Sequence, residues 1–104
     1  MLSLPLAIAD KTEFDQAVSE VLQEMAPDVV RIRHNIAQDW SDDWAVYFRV
    51  LISDEVGRTR LGEVTRKVQK LLESKLKPLS MGLLSYYNFR GVSEQAAIRE
   101  DSWE

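Results

Sequence analysis

The apolar residues of this chain fall into two helical stripes and three alternating runs. Phe14, Val18, Val21, Leu22 and Met25 recur at the spacing that gathers side chains on one face of a helix. Asp10 and Glu13 ahead of them have the spacing of a capping box, in which each side chain satisfies an orphan backbone N–H of the first turn. Pro27 stops the pattern, because proline has no N–H to donate and clashes with the preceding turn. The pattern predicts a helix over Lys11 to Ala26.

From Val29 to Ile36 the period changes to two. Val30, Ile32, His34 and Ile36 share one face, and Val29, Arg31, Arg33 and Asn35 share the other, as in a strand. Gln38 to Asp43 is polar and rich in Asp, so it reads as a loop. A second strand follows over Trp44 to Ser53, with Trp44, Val46, Phe48, Val50 and Ile52 on one face and Ala45, Tyr47, Arg49 and Leu51 on the other. The short connection makes the two strands an antiparallel pair. Ser53 to Arg58, containing Gly57, reads as a turn, and Thr59 as the N-cap of the next helix. Leu61, Val64, Val68, Leu71, Leu72 and Leu76 then form the second helical stripe, which Pro78 ends. Gly62 weakens its first turn by up to about 1 kcal/mol. Leu83 to Arg90 predicts a third strand. Leu83, Ser85, Tyr87 and Phe89 lie on one face and Leu84, Tyr86, Asn88 and Arg90 on the other, so both faces carry aromatics. Past Gly91, residues 92–104 read as a short helix or a tail ending in acidic residues and Trp103.

The resulting order, α-β-β-α-β, predicts an α+β two-layer sandwich. Two helices cover one face of a three-stranded antiparallel or mixed sheet, an arrangement resembling part of a ferredoxin-like fold. A length of 104 residues fits one domain over 1–104. The apolar start, Met1 to Ala9, reads as an arm that packs on the domain or on a neighbour. It has no Lys or Arg ahead of its apolar stretch and is short for a secretory segment.

Composition removes several function classes. The chain has 45% apolar and 29% charged residues, which suits a folded domain. With no cysteine, there is no disulfide framework, thiol nucleophile or cysteine metal site. A net charge of −4 disfavours nonspecific DNA binding, which works by neutralising many phosphates. No apolar run approaches the roughly 18 residues of a membrane-spanning helix, so the expected location is the cytoplasm. Charge is segregated: Met1 to Asp28 holds six Asp or Glu and one Lys, and Arg58 to Lys77 holds seven Lys or Arg and two Glu. An acidic helix beside a basic helix accounts for this, and a basic surface for an acidic partner is the other reading.

If both helices cover the face bearing Val30, Ile32, Val46, Phe48 and Val50, the opposite face displays Arg31, Arg33, Asn35, Tyr47, Arg49 and Leu51 from the first two strands and Tyr86, Asn88 and Arg90 from the third. Arginine and tyrosine are enriched at binding hot spots, since they bury large area while keeping a polar handle. The leading reading of this face is a homodimer or partner-protein interface. Tyrosines packed on arginine stems or under the N-terminal arm would also account for it. A stacking platform for single-stranded RNA is a further reading, although the glycine and paired-aromatic pattern of such platforms is missing.

The loop Asp39-Trp40-Ser41-Asp42-Asp43-Trp44 has carboxylates for a hard cation, but no glycine or closing Glu of an EF-hand. Asp and Ser are also ordinary turn residues. Trp40 and Trp44 read as anchors or contact residues. His34, the only histidine, lies on the apolar face and reads as a half-buried residue with a hydrogen-bond partner. The chain has no phosphate-binding glycine loop and no nucleophile–base pair. No catalytic residue, metal site or cofactor is expected.

The run from Asp39 to Val50, with Tyr87-Asn88-Phe89-Arg90, resembles small bacterial proteins that accompany a HEPN-type helical protein in a pair resembling a toxin–antitoxin system. The resemblance spans the first to third strands. It implies a small acidic protein that works by binding a protein partner, and it carries over no site residue. The expected function is therefore a protein-interaction module, with single-stranded RNA or anion binding as the alternative and a metal-binding or enzymatic role more remote.

Overall fold

Helix α1 (Lys11–Met25) opens the computed structural model, which describes residues 11–103. The N-terminal arm and Asp10 of the capping box lie outside the described residues. Phe14, Val18, Val21 and Met25 are buried, as their spacing requires. Strands β1 (Val29–Gln38) and β2 (Trp44–Ile52) form the antiparallel pair. Then come α2 (Asp54–Thr59), α3 (Leu61–Leu76), a 3-10 turn (Pro78–Met81), β3 (Leu84–Gly91), α4 (Val92–Ile98) and a final 3-10 turn (Asp101–Trp103).

The three strands form one mixed sheet in the order β1-β2-β3. β3 runs parallel to β2, with Tyr47 beside Tyr86 and Arg49 beside Asn88. A parallel neighbour requires a crossover, and α3 supplies it. The core lies between the sheet and the helices. Phe14, Val18 and Val21 of α1 and Val64, Val68 and Leu72 of α3 pack against Val46, Phe48 and Val50 of the central strand. Phe48 is fully enclosed and stacks on Phe14 and Tyr87. The acidic and basic helices lie side by side, bridged by Lys75 and Glu20 at 3.9 Å.

Three local features depart from the sequence pattern. The register slips between Val29 and Arg31, so Val30 is the extra residue of a bulge. Val29 turns into the core and Val30 is 45% exposed, the reverse of strict alternation. The segment expected to be a turn is helix α2. Its N-cap is Ser53, whose hydroxyl accepts from the Val56 N–H at 3.3 Å. Thr59 is the last residue of α2, and α3 starts after Arg60 without a side-chain cap. Arg60 instead grips Asp28 through two hydrogen bonds of 3.1 and 2.9 Å, tying the α2–α3 junction to the start of β1. The segment beyond Gly91 folds back onto the sheet.

Candidate functional site

The face of the sheet turned away from α1 and α3 carries the arginines and tyrosines expected there. Arg31 and Arg33 come from β1, Tyr47 and Arg49 from β2, and Tyr86 and Arg90 from β3. Arg33 and Arg49 stand directly opposite each other in the β1–β2 pair. Two guanidinium groups at such a position repel. Arg49 is also partly buried, and burial first, then the charge of Arg33, pull its pKa below the ordinary arginine value. Its Nε donates to the Ser102 carbonyl at 2.7 Å and its Nη1 to Asn35 Oδ1.

This face is not open along its whole width. α4 and the final 3-10 turn lie across the ends of β2 and β3. Arg90 is the post they wrap around. It donates to Gln95 Oε1 at 2.7 Å and lies 3.4 Å from Glu100 Oε1, and its guanidinium stacks 4.2 Å from the centre of the Trp103 ring. Gln95 is buried and donates to the Glu100 carbonyl at 2.7 Å. Trp103 is only 6% exposed. Arg49 and Arg90 are thus engaged largely by the chain's own C-terminal segment. Arg31, Arg33 and Asn35 lie on the solvent-exposed part of the face along β1. Between the two regions lies a hollow of about 540 Å³ floored by Tyr47, Arg49 and Asn88 and walled by Trp103. The sequence signal for the cover was slight: one tryptophan in an otherwise acidic, polar ending.

The start of α4 shows why the cover sits where it does. Gly91 at its N-cap has no side chain to satisfy the first amides. Asp54, at the start of α2, does so instead, accepting from the Ser93 N–H at 3.0 Å and from the Ser93 hydroxyl. Those hydrogen bonds hold the Asp54 carboxyl below the usual range. Glu94 closes the cap by accepting from the Gly91 N–H at 3.2 Å.

At the other end of the sheet, the loop between β1 and β2 is built around Asp39, which is 8% exposed. Asp39 Oδ1 accepts from the Ser41 N–H (2.9 Å), the Ser41 hydroxyl (2.9 Å) and the Asp43 N–H (3.1 Å). Asp39 Oδ2 accepts from the Tyr86 hydroxyl at 2.8 Å. Tyr86 reaches it from β3, on the far side of the central strand, while its ring stacks on Tyr47 of that strand at 5.1 Å. The Tyr86 hydrogen bond, with those from Ser41 and Asp43, lowers the Asp39 pKa against the opposing effect of burial. Asp39 in turn raises that of Tyr86. Both carboxylate oxygens are therefore engaged in fixing the turn. Among the described residues, no group of three or more His, Cys, Asp or Glu side chains is placed to hold a metal ion.

That turn carries Trp40 at its tip, 92% exposed. Trp44 points the other way, against the core, with its Nε1 buried and without a hydrogen-bond partner. The two tryptophans therefore do not share a surface. His34 lies on the helix-covered face. Its Nε2 is 3.1 Å from Asp15 Oδ1 of α1, and its ring rests on Phe14 at 4.7 Å. Among the described residues, no helix is long and apolar enough to cross a membrane. No protein-family model, curated protein or solved structure matches this chain.

Proposed function

We propose that the chain is a protein-interaction module that binds a partner protein through the exposed margin of its sheet, from the β1 arginines to the Trp40 turn. The observation that carries this reading is Trp40. A tryptophan almost wholly in solvent, on a turn fixed by four hydrogen bonds to one carboxylate, loses little conformational freedom when it is buried in a complex. Tryptophan and arginine are also the residues that most often dominate contact energetics.

On this reading the partner is a separate protein. The resemblance to proteins paired with a HEPN-type partner favours an antitoxin-like role of the same kind. The frame is read as part of a ferredoxin-like sheet in which the parallel strands around α3 pair directly instead of being split by a further strand, and such a frame hosts many functions. The test is recovery of a partner from native extract with the wild-type chain and with Trp40→Ala. The expected result is one stoichiometric partner for the wild type and its loss in the variant. Equal recovery by both, or none by either, contradicts the proposal.

A further inference from the structure

β1 is an edge strand. β2 pairs along its inner side, and no strand among the described residues pairs along its outer side. Its bulge distorts only the start, and from Arg31 to Gln38 the register runs unbroken. Such an edge presents alternating N–H and C=O groups to which an extended chain can add as a further strand. Side chains on the open face of the added strand would stand about 4.5–5.5 Å, between Cβ atoms, from those of β1 directly opposite.

The open-face side chains of β1 here are Arg31, Arg33 and Asn35, and Arg49 adds a third guanidinium behind Arg33. Opposite charges across a strand pair are favourable and like charges are not. A second copy of the chain pairing β1 with β1 about the arginine stretch would set arginine among arginines. An acidic strand would instead set carboxylates between them, with the planar, two-pronged geometry that guanidinium groups favour. The covered half of the same face already holds an intramolecular example: Arg90 is met by Glu100 and by the aromatic Trp103.

We infer that β1 takes up an extended acidic segment of the partner, with Asp or Glu at every second residue set over Arg31 and Arg33 and backbone hydrogen bonds to the strand edge. This rests on the partner-binding reading above and adds the chemistry of the bound segment.

A random library of short peptides displayed on phage, selected on the immobilised full chain, tests it. Enriched peptides are expected to carry acidic residues at alternate positions. A synthetic enriched peptide should shift the backbone amide resonances of residues 31–38. Its affinity should fall with added salt, and roughly tenfold or more in Arg31→Gln/Arg33→Gln. Both positions are exposed, so the variant should keep the wild-type far-ultraviolet spectrum. Arg31→Glu/Arg33→Glu should turn the selection toward basic peptides. The inference is overturned if no peptide is enriched, if enriched peptides lack the acidic alternation, or if they bind the Gln variant equally. It is also overturned if oligouridylate engages the same amides more tightly, or if those amides respond only to self-association. A partner lost in Trp40→Ala alongside any of these results leaves the partner-binding reading standing and removes only the acidic segment.

Discussion

The Tyr86 hydroxyl donates to the Asp39 carboxylate across 2.8 Å, joining β3 to the β1–β2 turn over the top of the central strand. One hydrogen bond thereby couples two segments of the sheet that are far apart in sequence. Tyr86→Phe keeps the ring stacked on Tyr47 and removes only the donor. It should lower the melting temperature by a few degrees and speed amide exchange in residues 39–43 specifically. Asp39→Ala, which removes the carboxylate that accepts from Ser41, Asp43 and Tyr86, should cost more than Tyr86→Phe. Thermal melts and exchange-detected mass spectrometry check both.

The same pair sets the pH dependence of stability. The folded pKa of Asp39 lies below its unfolded value, so its contribution is in place above about pH 4 and is lost as pH falls through the lower folded value. Tyr86 is raised by its hydrogen bond to Asp39, and Tyr87 by burial and then by the nearby Glu73 charge. Their neutral forms contribute in full below about pH 10, and that contribution is lost as pH rises through the higher folded values. Absorbance titration of the tyrosines should show at least two ionising late and together with unfolding. Asp39→Asn should move the Tyr86 step toward the ordinary range.

Phe48 is the centre of the core, enclosed by Phe14 and Tyr87. Phe48→Ala should cost about 3–5 kcal/mol, the range for emptying an aromatic site. A domain of this size has only about 5–15 kcal/mol in total. Urea denaturation should therefore show a midpoint greatly reduced, or a chain already unfolded.

The C-terminal cover should be separable from the sheet. Trp103→Ala removes the ring stacked on Arg90 and the anchor of the last turn. Amide exchange in residues 92–103 should then accelerate, while β1, β2 and α3 keep their protection. Acceleration throughout the chain would mean that the cover is part of the core.

The two helical stripes and the three strands were legible because their apolar periods were long and uninterrupted, as in Leu61 to Leu76. The sidedness of the sheet was legible for the same reason. Val30 was not. A bulge changes no residue type, and only the pairing with β2 reveals that Val29 rather than Val30 points inward. Helix α2 was hidden because six residues hold one buried apolar anchor, Val56, too few to establish a period. The arginine–tyrosine face could be predicted from alternation, but its covering could not. Arg49 to Ser102 and Tyr86 to Asp39 are long-range contacts between polar groups, and polar groups leave no periodic trace in a sequence. The Asp39 loop has the composition of a cation site, and only the direction of its hydrogen bonds identifies it as a turn built around one carboxylate.

The most direct test of partner binding at the sheet margin is an amide-exchange footprint of the full chain with and without the partner recovered from native extract. Binding at this margin should protect residues 31–38 and the turn around Trp40, with α3 unchanged. Protection confined to the basic face of α3, or none on β1 and the Trp40 turn, would contradict it.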